Sequence, residues 1–197
     1  MAQTTQSIRP LRTPWKGPFP QVAIHTTVDI RDAHPAYADA KSGNADAATA
    51  LVEALFLPAA VSRIGSVVAG RNPMIVPASA IERQGFNAIP DAMALALADI
   101  LSLSVDTNSI NQINIVSHTR ATGWHRLAHP AVFDGPVEIG RCYFIVDDHI
   151  GLGGTIASLK GHIETHGGVA IGATCLTEST NSRDIALTSG TLNGLRG

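Results

Sequence analysis

The segment Cys142-Tyr143-Phe144-Ile145-Val146-Asp147-Asp148-His149-Ile150-Gly151-Leu152-Gly153-Gly154-Thr155 constrains the fold more than any other part of the chain. Its apolar run reads as a strand buried on both faces, because such strands show continuous rather than alternating hydrophobicity. The run ends in two adjacent carboxylates, which places both acids at the carboxyl end of a strand and at the rim of a sheet. The glycine-rich turn behind them has little side-chain bulk, so its amides can wrap an anion. Thr155 then opens a helical pattern whose positive end adds to that attraction. Acid pair and anion cradle together suit a ligand that carries both hydroxyls and a phosphate. A sugar phosphate is the simplest such ligand.

The rest of the chain supplies elements around this strand. Residues 1–20 read as a loosely docked arm and residues 21–28 as a strand. Residues 35–41 form a short helix stopped by Ser42-Gly43, after which Asn44 caps a second helix over 45–57 that Pro58 ends. Residues 59–70 fit helix and strand equally. Met74-Ile75-Val76-Pro77 is a strand entering the small-residue loop Ala78-Ser79-Ala80, and Pro90 suits the first turn of a helix running to Leu101. A strand is expected over 113–116, a long connection over 118–140, a strand over 143–147, a helix over 154–166 and a last strand over 169–176. Strands alternating with helices give an α/β fold with a mostly parallel central sheet flanked by helices. In such sheets ligands bind beyond the carboxyl ends of the strands. The expected organisation is an N-terminal arm and helical hood segment over 1–70 and a core over 71–197.

Composition excludes several function classes. A net charge of −2 without clustered Lys and Arg gives no basis for nucleic-acid or membrane-surface binding. No run approaches the roughly 18 apolar residues of a membrane span, and the polar, proline-punctuated start is not expected to be a signal peptide. Cys142 and Cys175 both lie in apolar runs, which suits reduced, buried thiols in a cytoplasmic protein. His162 and His166 share a helix face. The zinc-protease arrangement would need Glu directly after the first His, so they are expected to be surface histidines.

Two well-known phosphate loops fail on residues. A Walker A loop needs Lys after its last glycine, and Thr155 stands there. A dinucleotide fingerprint needs a small residue at Ile156 and an acid about 20 residues after the loop, whereas the acids here precede the glycines. What remains, from Tyr143 to Thr155, resembles the phosphoribosyl-diphosphate (PRPP) motif of type I phosphoribosyltransferases. The resemblance implies that fold, with Asp147 and Asp148 holding the ribose 2′- and 3′-hydroxyls. Carboxylates accept strong hydrogen bonds from a diol. It also implies that Gly151, Leu152, Gly153, Gly154 and Thr155 hold the 5′-phosphate.

A second stretch, Ile75-Val76-Pro77-Ala78-Ser79 followed by Arg83-Gln84-Gly85-Phe86-Asn87, is similar to the first strand and diphosphate loop of competence-type members of that family. By that likeness Ala78, Ser79, Ala80 and Arg83 meet the diphosphate. The connection over 118–140 matches the family's flexible catalytic loop, with Arg120, His125 and Arg126 as cations that would close on the leaving group. Arg120 is taken as catalytic alongside the two acids. The implied cofactor is Mg²⁺, carried on the substrate's oxygens with no protein side chain assigned to it. The implied ligands are PRPP and a nitrogenous acceptor, and the implied assembly is a homodimer.

The activity so implied is transfer of the 5-phosphoribosyl group to a nitrogenous base with release of diphosphate. The alternative is a non-catalytic PRPP- or nucleotide-binding regulatory protein of the same fold. Gly151 stands where hypoxanthine–guanine enzymes carry an acid, which disfavours a 6-oxopurine acceptor. Orotate-type enzymes depend on a loop lysine, and residues 111–140 contain none.

Overall fold

Apolar strands without alternation need cover on both faces, and the computed structural model supplies it. It describes residues 10–15, 19–28, 34–82, 85–107, 109–114, 130–180 and 182–185. The elements in chain order are β1 (Ala23–Ile24), α1 (Tyr37–Lys41), α2 (Ala45–Leu55), α3 (Pro58–Val68), β2 (Met74–Pro77), β3 (Ile81–Glu82), β4 (Gly85–Phe86), α4 (Ile89–Leu101), β5 (Ser104–Val105), β6 (Asn111–Gln112), β7 (Phe133–Asp134), β8 (Cys142–Ile150), α5 (Gly154–Thr165) and β9 (Val169–Glu178). Five of the strands form one parallel sheet in the order β1-β9-β8-β2-β5. The expected α/β class with a parallel central sheet holds.

Side chains of β8 alternate between two cores. Phe144 and Val146 pack on one face with Leu51, Ile64, Met93 and Leu97 from the helices α2 to α4. Tyr143 and Ile145 pack on the other with Ile156, Leu159 and Ile163 of α5. Each such side chain contributes roughly 1.5–3 kcal/mol by leaving water. The N-terminal helices therefore share a core with α4 and β8.

Local chemistry explains most boundaries. Asn44 caps α2 by accepting from the Ala47 amide at 3.0 Å. Pro58 does not end that helix. It opens α3 at the first helical position, where its missing N–H costs nothing, and residues 59–68 are helical. The strand expected over 113–116 is not seen among the described residues. Ile113 and Asn114 fall outside any strand, residues 115–116 lie outside the described residues, and Ser104–Val105 takes the edge position beside β2. The reason is chain length: α4 ends at Leu101, and Ser102 turns the chain in a left-handed conformation (φ 53) straight back to the sheet.

The N-terminal arm docks more firmly than expected at residues 10–15. The Lys160 ammonium, on a residue 3% exposed, donates to Thr13 Oγ1 at 2.8 Å and to Glu164 Oε2 at 2.7 Å, and lies 4.7 Å from the Trp15 ring. His162 is another correction. It is buried, and its Nε2 lies 3.0 Å from the Gly135 carbonyl, because the turn after β7 packs on α5. Both cysteines are free thiols, with Cys175 fully buried. Among the described residues no single helix is long and apolar enough to cross a membrane.

Candidate functional site

Strand β8 is longer than its apolar run. It pairs with β9 as far as Ile150 opposite Glu178, so the acids do not end the strand as expected. On the other side, pairing with β2 stops at Pro77 opposite Val146. Asp147 and Asp148 therefore sit on a ledge, with β9 still alongside and β2 already turned away. The Ala78 amide closes the β2 side by donating to the Val146 carbonyl at 2.7 Å.

The two acids differ in environment. Asp147 and Asp148 are 7% and 9% exposed. Burial, reinforced by the neighbouring Asp148 charge, pushes the Asp147 carboxyl well above the usual carboxylate range. Burial acts on Asp148 in the same direction, but Lys41 outweighs it and holds that carboxyl below its usual value. The Lys41 ammonium donates to Asp148 Oδ2 at 2.9 Å. The Asp148 amide donates back to Asp147 Oδ1 at 2.9 Å, which fixes the orientation of the first acid. The structure thus divides the pair into one carboxyl that resists ionisation and one that stays ionised.

Lys41 was not legible as a site residue, because its partner lies 107 residues away. Its delivery is a chain of backbone contacts. The Ala88 amide donates to the Ala40 carbonyl at 3.1 Å, tying the end of α1 to the segment after β4. Gly85 has φ +130, and a Cβ there would stand 2.7 Å from the Ser42 carbonyl oxygen. Only glycine permits that approach, so the β3–β4 hairpin and α1 seat together beside the acids.

The glycine turn behind β8 has the expected form. Gly153 is left-handed (φ 69) and opens α5 with no side-chain cap. A Cβ on it would meet Ile185 Cγ2 at 2.6 Å. Gly151 and Gly154 are half-buried, Leu152 is exposed at 68%, and Thr155 lies in the first turn. The first amides of a helix lack intrahelical partners, and with the helix dipole they favour an anion at this end. The exposed Leu152 can offer its backbone but not its side chain to an anion.

Of the diphosphate residues, Ala78, Ser79 and Ala80 follow β2 directly, one strand away from the acids. Ser79 is buried and its hydroxyl donates to Asp91 Oδ1 at 2.9 Å. Burial raises the Asp91 carboxyl and the Ser79 bond partly offsets this, while Asp91 Oδ2 is buried with no partner among the described residues. Arg83, Arg120, His125 and Arg126 lie outside the described residues. The ring nitrogens of His149 lie 2.8 Å from Thr177 Oγ1 and 3.1 Å from Ser179 Oγ. It braces β8 against the end of β9.

No protein-family model matches the chain. It is 40% identical over 184 residues to "Protein TraN" of Escherichia coli, covering 93% of this chain and 41% of that protein. It is 37% identical over 158 residues to an uncharacterized protein of Haemophilus influenzae, covering 80% of this chain and 35% of that protein. The chain thus spans less than half the length of these relatives. Solved structures similar to it include adenine phosphoribosyltransferases from Thermoanaerobacter pseudethanolicus, at 14% identity and TM-score 0.38 over 60% of this chain and 77% of that one. The enzyme from Rhodothermus marinus is similar at 16% identity and TM-score 0.40, over 71% and 74%. At such scores the functional reading rests on the residues of the site itself.

Proposed function

We propose that this chain binds PRPP through the β8 ledge and transfers its 5-phosphoribosyl group to a nitrogenous acceptor. One observation carries the reading: two buried acids of unlike ionisation stand on a strand that runs directly into a glycine turn and an uncapped helix N-terminus. Ionised Asp148 accepts a hydrogen bond from a ribose hydroxyl, and Asp147 in its protonated form can donate one, so a diol is matched at both ends. The 5′-phosphate sits on the amides of the 151–155 turn. Diphosphate then lies over Ala78 to Ala80, the neighbouring loop at the carboxyl edge.

In the transfer, the bond between C1 of the ribose and the diphosphate oxygen breaks with its electron pair leaving on diphosphate. A bond forms between C1 and the acceptor nitrogen, whose proton passes to the departing diphosphate or to solvent. The protein mainly positions the reactants and offsets charge. Mg²⁺ supplies neutralisation of the diphosphate when bound. Asp91 Oδ2, buried next to Ser79 without a partner among the described residues, is the kind of oxygen that a water of the hydrated ion would satisfy. The proposal includes a homodimer and a cytoplasmic setting, both taken from the resemblance in sequence and the free thiols.

A second reading, PRPP binding without transfer, is favoured by one feature. Asp148 is already engaged by Lys41, so ligand and lysine compete for the same carboxylate or share it. The deciding experiment incubates the protein with PRPP, Mg²⁺ and a panel of free bases and follows diphosphate release. Release dependent on a base supports transfer. PRPP binding with no release for any base leaves the binding protein.

A further inference from the structure

Among the described residues, His25 is one buried polar group that the proposed chemistry leaves unexplained. It follows β1, is 3% exposed, and stacks on the Phe56 ring at 4.2 Å between centroids and 11° between planes. The Leu57 amide donates to His25 Nδ1 at 3.3 Å. An accepting Nδ1 must carry its lone pair, so the ring proton resides on Nε2. That Nε2 is buried and has no partner among the described residues. Burial pushes the ring down to about 4, so it is neutral at physiological pH and presents one N–H donor. A buried donor held in one tautomer, on a ring clamped by an aromatic neighbour, needs a partner to offset its lost hydration.

The topology says where that partner would come from. The order β1-β9-β8 puts His25 two strands from Asp148, roughly 10 Å at the usual strand spacing. Contacts put both on the face covered by the N-terminal helices: Ala23 of β1 belongs to the core under α2 to α4, His25 stacks on Phe56 after α2, and Asp148 meets Lys41 of α1. The loop assigned to diphosphate lies on the other side of β8, after β2. In a displacement at C1, nucleophile and leaving group occupy opposite sides of the carbon. A ribose held on the acid pair with its diphosphate over β2 therefore receives its acceptor from the side of β9 and β1.

We propose that His25 reads the acceptor, donating its Nε2–H to an in-plane lone pair of a neutral planar base, either a carbonyl oxygen or an unprotonated ring nitrogen. Phe56 and the Leu57 amide hold the imidazole in the required orientation. A neutral imidazole brings no positive charge to offset the desolvation of a carboxylate, so the class favoured is the neutral base rather than an acidic one such as orotate. This inference rests on the PRPP reading of the ledge.

The test compares ribose 5-phosphate, which lacks a base, with AMP, GMP, CMP and UMP, which carry one in the product position. Affinities are measured by titration calorimetry on the wild type, His25→Phe and His25→Gln. At least one nucleotide is expected to bind the wild type tenfold or more tightly than ribose 5-phosphate. His25→Phe keeps the stacked ring but removes the donor, and is expected to abolish that gain with ribose 5-phosphate affinity within twofold. His25→Gln, which restores a neutral N–H, recovers part of it. The inference is overturned if His25→Phe keeps the gain, if it weakens ribose 5-phosphate equally, or if no nucleotide exceeds ribose 5-phosphate on the wild type. Failure of the underlying reading looks different: the wild type then binds neither ribose 5-phosphate nor any nucleotide. Should His25→Phe fold poorly, the wild type alone decides. In protein labelled with ¹⁵N-histidine, the His25 Nε2–H resonance must shift with the tight nucleotide and not with ribose 5-phosphate, and an unmoved resonance rejects the proposal.

Discussion

Single residues carry the unusual electrostatics of this protein. Asp147 has its folded-state carboxyl raised by burial and by Asp148, so the folded chain holds that proton more tightly than the unfolded chain. Stability from this group is present below the ordinary carboxylate range and is lost as pH rises through the raised value. Asp147→Asn keeps the oxygen that accepts from the Asp148 amide but cannot ionise. It is expected to stabilise the protein by on the order of 2 kcal/mol at neutral pH and by nothing in acid. Denaturant melts across that pH range check this, and a difference that does not grow with pH would contradict it. Lys41→Met has the opposite sign. It leaves Asp148 buried without its cation, and a loss of about 2–4 kcal/mol is expected at neutral pH, shrinking as Asp148 becomes protonated. Neither Lys41 nor His25 announced itself in the sequence, because each acts through a contact far away in the chain. The acids and glycines were legible because the whole motif is local: strand, carboxylates and helix start occur within fourteen residues.

Elements were legible where a local signal set them. Pro90 opening α4, Asn44 capping α2, and the apolar runs of β2, β8 and β9 all match expectation closely. Two failures have a common cause. Ser104–Val105 is too short and too polar to read as a strand, and β8 continues through two acids and a histidine because β9 lies alongside. In both cases a neighbouring strand, not propensity, decides. The glycine turn offers a test at this scale. Gly153→Ala imposes a left-handed side chain and a clash with Ile185, with an expected cost of about 2 kcal/mol. Thermal melts report the loss, and ribose 5-phosphate binding should fall with it. A substitution without effect on either would mean that the turn relaxes freely. The arm gives a second test. Lys160→Ala removes the bonds to Thr13 and Glu164, so residues 10–15 should become cleavable in limited proteolysis while the rest of the chain resists. An unchanged digestion pattern would contradict the anchoring role given to Lys160.

At the scale of the whole molecule, one sheet edge gathers pieces from most of the chain. The acids come from β8, the lysine from α1, the small-residue loop from β2, and the neutral histidine from the end of β1. The N-terminal helices are part of this assembly, since Leu51 and Ile64 share a core with Phe144 and Val146. The fragment 71–197 is therefore not expected to melt cooperatively by itself, whereas the intact chain should show a single transition. The central claim is that Asp147 and Asp148 hold the ribose of PRPP. Titration of PRPP with Mg²⁺ into the wild type and into Asp147→Asn/Asp148→Asn tests it most directly. The wild type is expected to bind and the double variant to lose about a hundredfold or more in affinity while still melting cooperatively. Equal affinity for the two proteins, or no binding by the wild type, would contradict it.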